Sequence, residues 1–180
     1  LTNSTVSGND ANSEGGGIYN WEASTLTLTN STVNGNAADS EGGGIFNFGG
    51  STLTLTNSII ANSPNGSDCV LDPSSIFTLG HNLDSDGTCG LTAATDMPST
   101  DPKLGDLQDN GGPTHTHALL PGSPAIDAGD DSVLEDPLNL TTDQRGPGFP
   151  RLQRTRVDIG AFELGVTAIE VTNNNDSGSG

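Results

Sequence analysis

The amino-acid sequence predicts an all-β fold, a three-faced parallel β-solenoid with coils about 27 residues long. Residues 14–36, EGGGIYNWEASTLTLTNSTVNGN, return as residues 41–63, EGGGIFNFGGSTLTLTNSIIANS. Each copy holds three short extended segments bounded by Gly and Asn, without the periodicity of a helix. Of 180 residues only 31% are hydrophobic and 4% aromatic, which suits the thin core of a solenoid better than a compact globule.

Each coil is expected to contain three strands and three corners. In the first complete copy the strands are GGGIYN (15–20), STLTLTN (24–30) and STVNGN (31–36). Leu26 and Leu28 alternate with threonines, the period of two that gives a strand one buried face. Successive coils then stack their strands about 4.8 Å apart in three parallel sheets.

The repeat also predicts which side chains stack across coils. An Asn ladder is expected in which each amide bonds the coil above and below. The remaining stacks are aliphatic or aromatic. The pairs are Ile18 on Ile45, Leu26 on Leu53, and Trp21 on Phe48, and the Asn ladder comprises Asn3, Asn30 and Asn57.

The GGGI copies at 15–18 and 42–45 resemble the Gly-Gly-x-Ile motif of right-handed parallel β-helix proteins of the polymorphic outer-membrane type. We therefore expect residues 1–64 to form regular coils of a right-handed β-helix. Residues 65–165 are expected to form irregular coils with a loop at 64–72, and 166–180 a strand followed by a Gly/Asn/Ser-rich tail.

Charge and cysteine content indicate the setting. Five basic against 23 acidic residues give a net charge of −18, which disfavours nucleic acid and anionic membranes as partners. No apolar run reaches transmembrane length. Cys69 and Cys89, the only two cysteines, are expected to form a disulfide, which points to an oxidising, extracellular location.

The second half of the chain resembles the C-terminal region of bacterial surface β-helix proteins called choice-of-anchor Q. The matching phrases are LGHNLDSDGTCGL (79–91), DPKLGDLQDNGGPTHTHALLPGSPAIDAGD (101–130), TDQRG (142–146) and VDIGAFEL (157–164). The resemblance implies a secreted or surface-displayed bacterial protein. Within it, residues 123–129 and 157–163 are predicted to be short alternating strands.

Several charged residues are candidate site residues, each with a plainer alternative. Asp84 with Asp86, and Asp127 with Asp130 and Asp131, could supply Ca²⁺ ligands, although turn-forming loops explain them as well. Ca²⁺ is the one cofactor left open. His115 and His117 share a strand face, as a metal pair does, and His81 fits a corner. Arg145 is expected to pair with Asp143, Asp158 or Glu163, with a catalytic role as the alternative.

Three functions remain open at this level. The favoured one is a non-enzymatic extracellular fibre or matrix subunit, assembled from copies of itself by head-to-tail stacking or strand donation. Its assembly residues are Leu1 and Val6 at one end and Val166, Ile169 and Val171 at the other. The alternatives are an adhesin or carbohydrate-binding β-helix that contacts surface glycans, and a polysaccharide lyase or hydrolase.

Overall fold

The computed structural model describes residues 1–73 and 75–165, and this part of the chain is built from short β-strands. One 3-10 helix, Asp131–Leu134, is the only helical element among these residues. The strands are β1 (Thr5–Ser7), β2 (Asp10–Ala11), β3 (Ile18–Asn20), β4 (Thr25–Thr29), β5 (Thr32–Asn34), β6 (Ala37–Ala38), β7 (Ile45–Asn47), β8 (Thr52–Thr56), β9 (Ile59–Ala61), β10 (Cys69–Leu71), β11 (Ile76–Thr78), β12 (Leu83–Asp84), β13 (Leu104–Gln108) and β14 (Thr116–Leu119).

Three parallel sheets organise the first half of the chain. Their strand orders are β1-β5-β9-β12, β3-β7-β10 and β4-β8-β11, so each pass of the chain adds one strand to each sheet. We call one such pass a coil. A smaller parallel pair, β2 and β6, lies at a corner, and β13 and β14 form an antiparallel pair. The all-β, parallel arrangement is compatible with a β-solenoid.

The register between the first two complete coils is the 27-residue offset that the repeat predicts. Ile18 lies opposite Ile45 and Leu26 opposite Leu53. The third coil is shorter, because Ile45 pairs with Cys69, Leu53 with Ile76 and Ile59 with Leu83. The prediction of a loop over 64–72 is therefore wrong for its last residues, because Cys69–Leu71 forms β10.

Glycine in the repeated GGGI motif is required by the close approach of neighbouring backbones. A Cβ atom added at Gly17 would lie 2.6 Å from the carbonyl oxygen of Gly44. One added at Gly44 would fall closer still to the carbonyl oxygen of Asp68 on the following coil. The motif thus marks the place where successive coils pack without side chains between them.

The predicted Asn ladder is formed at most in part. Asn3, Asn30 and Asn57 occupy equivalent corners in the left-handed backbone region, with φ of 46°, 45° and 48°, a conformation that Asn tolerates well. Their amides turn toward the second half of the chain: Asn3 donates to the carbonyl oxygen of Thr142 at 2.8 Å and Asn57 to that of Asp130 at 3.0 Å.

Asn30 lies between the amide of Asn57 and the guanidinium of Arg151. In one orientation its oxygen accepts from Asn57 Nδ2 at 3.3 Å, and in the flipped orientation from Arg151 Nε at 3.1 Å. We favour the flipped orientation, because a charge-assisted bond to a buried cation is the stronger one. An amide ladder that the sequence analysis missed lies on β3 and β7, where Asn20 donates to Asn47 at 2.6 Å.

Alternate residues of β9 face two different cores. Ile60 belongs to the core inside the coils, together with Leu28, Val33, Ile45, Leu53, Leu55 and the disulfide. Ile59 and Ala61 face outward into a second core with Leu119, Ala125, Ile159 and Phe162. The sheet that contains β9 is therefore buried on both faces, because residues 123–165, which we call the C-terminal segment, cover its outer side.

The strands predicted for 123–129 and 157–163 are wrong, since both stretches form turns and irregular backbone. Two backbone bonds join the stretches, from the Gly129 N–H to the carbonyl oxygen of Val157 and from the Ile159 N–H to that of Ala125. Further bonds go to side chains and to the coils. Gly160 N–H donates to the carbonyl oxygen of Asn57 at 2.8 Å, and Ala161 N–H donates to Thr32 Oγ1 at 3.0 Å. The C-terminal segment is held to the coil surface by such bonds.

Candidate functional site

Four aromatic side chains form one block on the outer side of the sheet that contains β3 and β7. Tyr19 and Trp21 belong to one coil, and Phe46 and Phe48 to the next. Tyr19 stacks on Phe46 with ring centroids 5.3 Å apart and planes 6° from parallel, and Trp21 stacks on Phe48 at 6.1 Å and 9°. We call this block the aromatic column.

The aromatic column remains open to solvent. Tyr19, Trp21 and Phe48 are 53%, 39% and 36% exposed, whereas Phe46 is buried between its neighbours. Face-to-face stacking across strands stabilises the coil interface, so part of the column's role is structural. Its exposed rings nevertheless form a stacked apolar surface on an acidic protein, and such surfaces mark interaction sites.

A shallow hollow of about 310 Å³ lies beside the aromatic column. The Gly49–Gly50 turn that follows Phe48 borders the hollow, which is lined by Gly50, Ser51, Thr52, Asp72, Pro73, Ser75 and Phe77. Phe77 is 57% exposed. Asp72 Oδ2 accepts a hydrogen bond from the Gly50 N–H at 2.8 Å, which orients the carboxylate at this position.

The first two Ca²⁺ candidates use their carboxylates to organise a tight loop. Asp84 is fully buried and accepts from the N–H groups of Gly87, Cys89 and Ser99 at 2.7–3.0 Å. Burial raises the pKa of Asp84, while these three bonds act in the opposite direction. Asp86 accepts from the Asp68 N–H at 2.9 Å and from Thr88. The residues that the structure describes contain no cluster of three or more His, Cys, Asp or Glu side chains suited to a metal ion.

The second set of Ca²⁺ candidates shows the same use of carboxylates. Desolvation acts to raise the pKa of Asp127, but N–H donors from Thr155 and Arg156 outweigh it and lower the pKa. The Ser132 N–H lowers the pKa of Asp130. Asp131 accepts from the Val157 N–H at 2.9 Å. These carboxylates hold the C-terminal segment in its turns.

The three histidines have different surroundings and hydrogen-bond partners. His117 is buried; its Nδ1 lies 2.7 Å from the carbonyl oxygen of Gly105 and its Nε2 lies 2.8 Å from Ser7 Oγ. It therefore joins the β13–β14 hairpin to β1. His115 is exposed. His81 occupies a corner with φ of 58°, and its Nδ1 lies 2.7 Å from the carbonyl oxygen of Ala128.

Arg145 makes the pair that was predicted for it with Asp143. Its Nε and Nη2 lie 2.9 Å and 2.6 Å from Asp143 Oδ2, and both side chains are buried. The guanidinium lies between the rings of Phe149 and Phe162, 4.1 Å and 3.9 Å from their centroids. Because rings cover both faces of its guanidinium, Arg145 has the environment of a side chain that packs in the protein interior.

Arg151 is a second buried cation, one that the sequence analysis did not single out. Its Nη2 donates to the carbonyl oxygen of Asp158 at 2.8 Å, and its Nε lies 3.8 Å from Glu163 Oε2. Desolvation lowers the pKa of Arg151 and raises that of Glu163 to about 8. Desolvation also raises the pKa of Asp158. No motif flagged Arg151, because only the fold brings it to Asn30.

The residues expected to mediate assembly are described only at one end. Leu1 is 52% exposed and Val6 packs partly against the inner core. The Leu1 amino group donates to the carbonyl oxygen of Thr27 at 2.7 Å. Val166, Ile169 and Val171 lie outside the described residues.

A disulfide joins Cys69 to Cys89, as predicted, and both residues belong to the inner core. It suggests a non-reducing environment for the folded protein, such as an extracellular one. Within residues 1–73 and 75–165, no helix is long and apolar enough to cross a membrane.

No protein-family model matches the chain, and no curated protein or solved structure shows significant similarity to it. The resemblance to polymorphic outer-membrane and choice-of-anchor Q proteins rests on the motifs in the sequence.

Proposed function

We propose that this chain is a right-handed parallel β-helix from a secreted or surface-displayed bacterial protein, and that it binds glycans without acting on them. The observation that carries the proposal is the aromatic column. Its exposed rings are rigidly placed by stacking between coils, and an aromatic face packs well against the C–H face of a sugar ring. The parallel sheets, the disulfide and the choice-of-anchor motifs support the setting.

The contacts of the charged side chains support the part of the proposal that leaves out catalysis. Arg145 and Arg151 are buried against carboxylates and carbonyl oxygens. The aspartates named above accept bonds from backbone N–H groups. An enzyme acting on polysaccharides needs acid and base groups that face a cleft. A lyase assay that follows unsaturated products from uronic-acid polymers, with Ca²⁺ added, tests the enzymatic alternative.

The proposal is tested by titrating the protein with a panel of oligosaccharides. Trp21 is the only tryptophan, so its fluorescence reports directly on the aromatic column. We expect saturable fluorescence changes with at least one glycan class, and weaker binding after Phe48→Ala. Leu138→Ala removes an apolar side chain of similar exposure, 43% against 36% for Phe48, from the C-terminal segment and serves as the control. Binding that survives Phe48→Ala unchanged, or no binding across the panel, contradicts the proposal.

Self-assembly into a fibre or matrix is the second candidate. It is favoured by one observation: β1 and β3 are edge strands of two of the parallel sheets, and backbone groups at such edges can pair with another chain. Negative-stain microscopy of the purified protein distinguishes the two candidates. Filaments support assembly through these edges, and monodisperse particles at high concentration contradict it.

A further inference from the structure

We infer that the glycan recognised at the aromatic column carries protonated amino groups, as a deacetylated amino-sugar polymer does. This inference rests on the proposed glycan binding and adds the chemical class of the ligand. It is carried by the juxtaposition of the aromatic column, the neighbouring hollow and the Asp72 carboxylate.

The aromatic column and the hollow are neighbours along the chain, because Phe48 belongs to the column and Gly50 lines the hollow. Gly49 and Gly50 form the turn between them, with φ of 68° and 77°. A Cβ atom at Gly50 would meet no atom within 4 Å, so the turn is uncrowded where it borders the hollow. The volume of about 310 Å³ is at the small end of the range for small-molecule sites.

The polar part of the site favours a cation. Asp72 lines the hollow, and the Gly50 N–H orients its carboxylate by donating to Oδ2 at 2.8 Å. A carboxylate oxygen fixed in this way is a ready acceptor for an ammonium group. Ser51 and Ser75, also in the lining, are buried, and their hydroxyl oxygens accept hydrogen bonds from the Ser24 N–H and from Asn47 Nδ2.

The charge of the surrounding coils points to the same ligand class. Residues 1–73 contain seven Asp and Glu residues and no Lys, Arg or His. A glycan rich in uronate, sulfate or phosphate would be repelled by this surface. A polycationic glycan would be attracted, with a dependence on ionic strength. Charge complementarity therefore selects amino sugars with free amines among the glycans that could stack on the rings.

The experiment compares an N-acetylglucosamine oligomer with its fully deacetylated counterpart by titration calorimetry at low and high salt. The deacetylated oligomer is expected to bind roughly tenfold more tightly at low salt, and the advantage should shrink as salt screens the charges. Asp72→Asn keeps an oxygen for the Gly50 N–H. It should reduce the affinity advantage of the deacetylated oligomer by a factor of roughly two to five. Its effect on the acetylated oligomer, which carries no ammonium group, should be smaller.

Asp10→Asn provides the matched control, because it removes one charge from an exposed residue of the β2–β6 corner. Circular dichroism verifies that both variants are folded. Equal affinity for the two oligomers overturns the amine preference while leaving glycan binding intact. If Asp72→Asn and Asp10→Asn behave alike, the assignment of Asp72 is wrong. If neither oligomer nor any neutral glycan binds, it is the proposed function that fails.

Discussion

The side chains of Arg151 and Glu163 face each other at 3.8 Å with no exposure to solvent. Around them, Arg145, Asp143 and Asp158 complete a buried set of two cations and three carboxyl groups. Desolvation and the neighbouring Asp158 raise the pKa of Glu163 to about 8, because ionising it would add a third carboxylate to a buried set with two cations. Burying a fifth charge without a partner would be costly.

Glu163→Gln should flatten the dependence of stability on pH. Below pH 4.5, the ordinary pKa of Glu, the folded and unfolded states both hold the proton. Between about 4.5 and 8 only the folded state holds it, so wild-type stability falls as pH rises, by at most about 1.4 kcal/mol per pH unit. Urea unfolding from pH 4 to 9 measures the difference between wild type and variant. Glu135→Gln, at an exposed site, should reproduce the wild-type slope.

Arg151→Met should destabilise the protein by about 3–5 kcal/mol, because it leaves buried carboxylates and carbonyl groups without their cation. Arg154→Met is the matched control, since the Arg154 side chain is 41% exposed and lies 3.7 Å from Asp127. Its effect should stay within about 0.5 kcal/mol. Equal effects of the two variants on the free energy of unfolding would show that the buried Arg151 stabilises the protein no more than an exposed arginine does.

Reduction of the Cys69–Cys89 disulfide should lower the free energy of unfolding by about 3 kcal/mol, as the chain-entropy model gives for a loop closed across 20 residues. Chemical denaturation with and without reductant measures it. A Cys69→Ala/Cys89→Ala double variant has no thiol left, so reductant should not alter its stability. A reductant effect on the double variant would show that the loss does not come from this bond.

Gly44→Ala should be strongly destabilising, because its Cβ would collide with the backbone of Asp68 on the next coil. Gly105→Ala is the control: its Cβ would meet Leu120 at 3.5 Å, an ordinary contact. Thermal unfolding should show a fall in Tm for Gly44→Ala of many degrees and little change for Gly105→Ala. Similar Tm values would contradict the close packing of the coils.

The coils could be predicted from the sequence because two complete copies align without gaps. Their strands, register and stacked rings all follow from a 27-residue offset. The third coil was harder to detect, because partners such as Ile45 and Cys69 are 24 residues apart and β10 follows the turn-forming stretch NSPNGSD (62–68). A change of period removes the signal on which repeat detection depends.

The C-terminal segment could not be placed from the sequence. The apolar alternation of 123–129 and 157–163 suggests strands, yet these residues pack on β9 and bond to side chains such as Asp158 and Thr32. Similarly, Asn3, Asn30 and Asn57 suggested a ladder by their spacing alone. What the three residues share is a left-handed backbone conformation at a corner of the coil. The carbonyl groups to which the Asn3 and Asn57 amides donate lie far away in sequence.

The central claim is that successive coils stack with a 27-residue register, which builds the aromatic column. Through-space proton contacts in an NMR spectrum test it most directly. Contacts between the backbone protons of residues 25–29 and 52–56, in the parallel pattern and at that offset, are the result the account predicts. Contacts in an antiparallel pattern, or at any other offset, would contradict it.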